Sequence, residues 1–197
     1  IPHSRLVAVM RRDAVRAADY ALRHGVDRWT TSVDELVADS GVNAVYVATP
    51  PSTHAAYAIR AMRAGKGVYV EKPMARNHRE CLEMLAAARE TGMPLFVAYY
   101  RRALPAWLKV RDLIGEIGRV LAVRVKLSRQ AGEMKADWRV NPKIAGAGLF
   151  YDLASHQFDI LDFLLGPVTS IAGAAVNRAG LYLAEDTVEA RFTFAGK

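Results

Sequence analysis

Between residues 6 and 98, short apolar runs alternate with segments of helical period. Leu6–Met10, Ala44–Ala48, Gly67–Glu71 and Pro94–Ala98 are near-continuous apolar stretches, the pattern of interior strands buried on both faces of a parallel sheet. Among them, Asp13–His24, Thr53–Ala64 and Asn77–Thr91 repeat apolar residues three and four apart. Leu82, Leu85 and Ala86 fall on one side of the last of these, and Gly92 supplies its stop. Strand and helix in alternation predict βαβ units, and so an α/β first domain.

The rhythm changes near Tyr99. A helix is predicted from Pro105 to Ile114, a turn over Gly115–Gly118, and a strand over Arg119–Ser128, where Val123, Val125 and Leu127 interleave with Arg124, Lys126 and Arg129. Such in-out alternation belongs to an antiparallel sheet with one wet face. A polar stretch, Gln130–Gly148, then leads into an amphipathic helix, Leu149–Leu165, stopped by Gly166-Pro167. Strands over Ser170–Asn177 and Thr187–Phe194 complete an α+β second domain. The predicted division is therefore 1–98 and 99–197. The last strand runs into residues 195–197, and an isolated pair would leave its edges unsatisfied, so the sheet is expected to continue beyond this chain.

With 197 residues, 52% of them hydrophobic and 24% charged, the chain has material for a large core and falls outside the disordered and collagen-like classes. The longest apolar segment, Leu149–Val168, is broken by Asp152, His156, Asp159 and Asp162, which argues against a membrane-spanning helix. The lone Cys81 rules out a disulfide-stapled scaffold, and with no secretory leader visible a cytoplasmic location is expected. The formal charge is +7, but its basic residues are scattered, with no run of five and no nucleic-acid motif. Solvated helix faces and strand ends account for them better than nucleic-acid binding.

Three segments carry chemistry. Val45–Ala48 ends at Thr49-Pro50-Pro51 before a helix begins, and in open α/β sheets ligands bind at such strand ends. A proline-stiffened cap accounts for the segment equally well by itself. The next strand ends at Glu71-Lys72-Pro73, with Pro73 excluding helix at Lys72 and aiming it at the same strand ends, although an acid and a lysine side by side are more often a solvated pair. Third, Asp152 and His156 stand four apart on one helical face. A carboxylate beside an imidazole holds its tautomer and suits proton exchange in alcohol oxidation or carbonyl reduction. A buried polar pair is the plainer account, and Asp159 could complete a metal triad, though no further ligand cluster supports one. Gly146-Ala147-Gly148 lacks a third glycine and a preceding strand, so it is a turn feeding the helix; Gly-x-Gly-x-x-Gly occurs nowhere in the chain.

These residues together resemble the glucose-fructose oxidoreductase and inositol dehydrogenase family, Gfo/Idh/MocA. The marks are Val47-Ala48-Thr49-Pro50-Pro51-Ser52-Thr53-His54, Glu71-Lys72-Pro73, Asp137-Trp138-Arg139 and the helix bearing Asp152, His156 and Asp159, and the likeness covers nearly the whole chain. The resemblance implies a Rossmann-type parallel sheet followed by an α+β domain with a large, mostly antiparallel sheet. It also implies NAD or NADP as cofactor and a sugar, polyol or related hydroxy compound as substrate. By the same likeness a first strand with its glycine loop would precede Leu6–Met10, making this chain a fragment, and the intact protein would be a homo-oligomer. Lys72, Asp152 and His156 would be catalytic: the lysine holding the substrate hydroxyl, the imidazole acting as general acid/base, the carboxylate orienting both. Thr49, Pro50, His54, Glu71 and Lys72 match positions lining the dinucleotide, and Trp138 and Arg139 match the nicotinamide end. Where many NAD-preferring members resemble Asp-Arg after the strand, this chain has Arg11-Arg12, which suits a 2′-phosphate and predicts NADP. A non-redox regulator, or a glycosidase using bound NAD internally, would sit on the same scaffold.

Overall fold

In the computed structural model, which describes residues 4–130 and 137–195, the first half of the chain folds into two parallel ladders. β1 (Ala8–Met10) pairs with β2 (Arg28–Thr30), and β3 (Ala44–Val47), β4 (Gly67–Val70) and β5 (Leu95–Val97) pair in that order. Among the described residues, those up to Thr49 and Thr53–Val97 make one compact unit. Pro50–Ser52 and those from Ala98 onward make the second.

Local capping sets the helices of the first unit. Asp13 accepts from the Arg16 N–H at 3.0 Å to start α1 (Ala14–His24), and Gly25, at φ 61°, ends it in the left-handed region. α3 (His54–Arg63) follows one 3-10 turn, Pro51–Thr53, and α4 (His78–Thr91) is capped by Asn77. Two elements were not expected from the pattern: β2 and α2 (Val33–Ala38). The Ser32 hydroxyl, accepting from the Glu35 N–H, starts α2, and Ser-x-x-Glu is a capping-box spacing.

Val45, Val47, Val68 and Val70 point into a core filled from α3 and α4 by Ala58, Ala61, Met62, Met84 and Ala87. The opposite face departs from the expectation of strands buried on both sides. Tyr46, Tyr69 and Phe96 stand in register across β3, β4 and β5 and are 56%, 41% and 62% exposed. A tyrosine ring is apolar enough to pass for a core residue in a run, yet its hydroxyl needs a partner, and Tyr46 donates to Glu71.

In the second unit, α5 (Pro105–Leu113) is followed by α6 (Pro142–Ala145), α7 (Leu149–Leu165) and an antiparallel pair, β6 (Val168–Val176) and β7 (Thr187–Phe194). Phe158 of α7 packs on Phe192 of β7 with centroids 4.5 Å apart. The strand predicted over Arg119–Ser128 does not form as a ladder: the segment has no regular structure and both its faces are exposed. A strand is stabilised by a neighbour that takes its main-chain hydrogen bonds, and none of the described residues supplies one here. Of the polar stretch predicted over Gln130–Gly148, residues 131–136 lie outside the described residues, as do residues 196 and 197. Among the described residues no helix is long and apolar enough to cross a membrane.

Candidate functional site

The chemistry-bearing residues of the first unit lie at the C-terminal ends of its strands. Arg11 and Arg12 follow β1 and are exposed; the Arg11 N–H donates to the Thr30 carbonyl at 3.1 Å, and its guanidinium lies 5.6 Å from the centre of the Tyr20 ring. Asp13, the first acid past β1, is engaged as the cap of α1.

Thr49 follows β3 and is half-buried, its hydroxyl accepting from the Thr53 hydroxyl at 2.7 Å, while Pro50 and Pro51 lead into the 3-10 turn. Glu71 follows β4: its N–H donates to the Val47 carbonyl at 2.9 Å, and its carboxylate accepts from the Lys72 N–H at 3.1 Å and from the Tyr46 hydroxyl. Burial and the Glu71 carboxylate push the Tyr46 hydroxyl up to about 12. Lys72 is half-buried and joined to Pro73 by a cis peptide bond. His54, matched above to the dinucleotide lining, is instead fully buried, with both ring nitrogens against main-chain carbonyls, so it supports the strand-end loops from behind.

Past Pro73 the loop is anchored by Arg76. Its N–H, Nε and Nη2 donate to the buried Glu80 carboxylate at 3.0, 2.9 and 2.5 Å. Burial pushes Glu80 up, but the hydrogen bonds and charge of Arg76 outweigh it and hold the carboxyl below its usual value.

The second unit brings Asp152 and His156 together on α7, one turn apart. His156 is 8% exposed, with two aromatic rings set nearly at right angles to it: Tyr99 at 6.1 Å and 80°, Tyr100 at 5.4 Å and 74°. Asp152 stands 3.7 Å from the Arg139 guanidinium, which stacks 4.4 Å from the Trp138 ring and also reaches Asp137. Trp138 and Arg139 are thus built into the surroundings of Asp152 through the short turn Trp138–Val140, capped by Asp137.

Several partners carried no sequence signal. Arg102 takes Asp159 at 2.7 Å and Asp162 at 3.2 Å, so Asp159 faces a guanidinium. Burial pushes the Asp159 carboxyl up despite Arg102. Glu185 accepts from the Gly148 N–H at 2.8 and 2.9 Å, placing a carboxylate at the N-terminus of α7, where the helix dipole favours it. Among the described residues no group of three or more His, Cys, Asp or Glu could hold a metal ion.

Comparison with known proteins covers both units. A family model described as an oxidoreductase family with an NAD-binding Rossmann fold matches residues 1–99, and one described as the GFO/IDH/MocA C-terminal domain matches 107–197. The chain is 42% identical over 176 residues to "Oxidoreductase P35" of Formosa agariphila, covering 86% of this chain and 55% of that protein. It is 38% identical over 178 residues to 1,5-anhydro-D-fructose reductase of Ensifer adhaerens, covering 89% and 54%. A levoglucosan dehydrogenase solved with NADH and levoglucosan superposes with a TM-score of 0.88 at 28% identity, covering 96% of this chain and 55% of that one. The chain spans about half the length of the curated relatives it matches.

Proposed function

The chain belongs to the Gfo/Idh/MocA oxidoreductase family, with an NAD-binding Rossmann fold and the family's C-terminal domain, and on that premise we propose that the full protein is an NAD(P)-dependent dehydrogenase or reductase. Its substrate in this reading is a hydroxyl carbon, or the matching carbonyl, of a sugar, polyol or related compound, and NADP is the preferred cofactor. The observation that carries the reading is His156, an imidazole buried on α7 one turn past Asp152 and set nearly at right angles to two aromatic rings. An imidazole one helical turn from a carboxylate is equipped to take a proton from a hydroxyl and to return it.

Each residue then has a role. His156 is the general acid/base. Asp152, its direction set from outside the helix by Arg139, orients the substrate and the imidazole. Lys72 donates to the substrate oxygen and steadies the charge that develops there. When bound, the nicotinamide supplies the hydride acceptor or donor.

The strand ends fit a dinucleotide in their donor set. Two exposed cations follow β1, and the nearest acid is engaged as a cap, which supports recognition of a 2′-phosphate by Arg11 and Arg12. Thr49, Pro50, Glu71 and Lys72 are assigned to the dinucleotide, Trp138 and Arg139 to its nicotinamide end, and His54 to support of the loops that carry them. Self-association of the full protein, which the family likeness implies, is checked by light scattering.

The test is a fluorescence titration of the full protein with NADPH and NADH at fixed salt, followed by turnover on sugars and polyols. Tighter NADPH binding is expected; equal affinities would refute the NADP preference, and binding of neither would refute the redox reading. With the best substrate, His156→Ala and Lys72→Ala are each expected to lower kcat by ~100-fold or more, and unchanged turnover in either removes that residue from the mechanism.

A further inference from the structure

His54 opens α3 with a side chain that solvent does not reach. Its Nδ1 lies 3.0 Å from the Pro73 carbonyl oxygen, and its Nε2 lies 2.6 Å from the Thr49 carbonyl oxygen. A carbonyl oxygen only accepts, and a neutral imidazole has one N–H to give. With its one N–H the ring donates to one of the two carbonyls and packs against the other.

The two carbonyls are not equivalent in position. Thr49 follows β3; Pro73 follows β4 and is the immediate neighbour of Lys72. Around them the chain is held by main-chain and ionic contacts on either side, Glu71 to Val47 before and Arg76 to Glu80 after. Pro73 has no N–H, so its carbonyl is its one main-chain hydrogen-bonding group. The ring of His54 therefore bridges the two strand-end loops at the residue next to the lysine.

We propose that His54 is a positioning residue: with its ring set between the Thr49 and Pro73 carbonyls, it ties the loop after β3 to the loop after β4 and sets where Lys72 presents its ammonium. The functional half of this inference rests on the role assigned to Lys72 above.

The direct test is an NMR measurement on the full protein labelled with 15N-histidine. The His54 signals are assigned by their loss in His54→Gln. A ring N–H held out of exchange with solvent is expected; one that exchanges freely overturns the proposal. The kinetic test compares His54→Phe, which fills the space without a donor, with His54→Gln, which keeps an amide donor. His54→Phe is expected to lower kcat by ~10-fold or more, since small misplacements of a catalytic group are costly, while the cofactor Kd changes less and His54→Gln recovers part of the loss. Unchanged kcat in His54→Phe, or equal loss in the two variants, overturns the positioning role. The Lys72 ε-methylene signal provides a readout independent of turnover: it is expected to shift in His54→Phe, and an unmoved signal counts against the tie. If Lys72→Ala leaves turnover intact, the functional reading fails, while the ring N–H exchange and the Lys72 signal still judge the tie. Should His54→Phe fail to fold, the ring N–H exchange of the wild type decides.

Discussion

Replacing Glu80 with Gln tests whether the loop carrying Lys72 is held by charge or by shape. The Glu80 side chain is 8% exposed and that of Arg76 36%, and the carboxylate accepts three donations from Arg76. Glutamine keeps the shape and one acceptor oxygen but turns an NH2 toward a residue that only donates there. Breaking a fully buried pair costs about 3–5 kcal/mol and a surface pair about 0–1 kcal/mol. Because the guanidinium reaches water and the carboxylate does not, about 1–3 kcal/mol is expected. The pH dependence has a definite sign. Glu80 sits below its usual value of 4.5 in the folded state, so its stabilisation is present above 4.5 and is lost as pH falls through the lower folded value. Glutamine does not titrate, so the gap between wild type and variant should close in acid. Since the two units can unfold separately, the assay is urea unfolding read residue by residue from β4 amide signals, at pH 7 and at steps below 4.5. A gap under about 0.5 kcal/mol at pH 7, the size of an ordinary surface substitution, or one that persists undiminished in acid, would refute the electrostatic account.

Arg102→Met should destabilise the second unit by about 2–4 kcal/mol, because it strips the partner from a carboxylate, Asp159, whose side chain is 8% exposed and whose Oδ2 has no hydrogen-bond partner among the described residues. Asp159→Asn in the same chain should recover part of that loss. As burial raises Asp159 above 3.8, the penalty should also shrink when acid protonates it, which urea titrations at neutral and acid pH measure. Gly148→Ala should lower the melting temperature, at a cost of about 1–3 kcal/mol, because the added Cβ would lie 2.6 Å from the Glu185 carbonyl oxygen and 2.9 Å from its carboxylate. Arg11→Ala with Arg12→Ala should weaken NADPH binding by ~10-fold or more through loss of charge-assisted bonds to phosphate, with NADH Kd little changed; parallel loss of both cofactors would refute the 2′-phosphate assignment.

What was legible in the sequence divides along the range of the interaction involved. Strand ends announced by Thr49-Pro50-Pro51 and Glu71-Lys72-Pro73, and a helical face announced by Asp152 and His156, are local facts, because proline geometry and the four-residue helical repeat act within one element. β2 and α2 escape the pattern for a different reason. The three residues of one and the six of the other are too few to show a period, although the Ser32 to Glu35 spacing is a readable start signal. The aromatic row Tyr46, Tyr69, Phe96 was hidden inside apolar runs, since a strand's pattern shows what each face carries and not whether a helix covers it. The segment over Arg119–Ser128 shows the same limit from the other side: alternation without a partner is not a ladder.

The residues that restrain the chemistry lie further still from any local pattern. Arg102 and Asp159 are 57 positions apart, Gly148 and Glu185 are 37, and His54 reaches Pro73 across 19. Each restraint is a pair whose members look unremarkable alone: an arginine among 27 basic residues, an acid on a loop, a histidine at a helix start. Spacing can nominate Lys72 and His156 because proton transfer needs those residue types, but it is silent on what keeps them still. A site whose nominated groups are local in sequence and whose restraints are distant should lose rate when a restraint is cut while cofactor binding survives. That split between kcat and cofactor Kd is the behaviour expected of His54→Phe, and its absence would mean that Lys72 is placed by β4 and its loop alone.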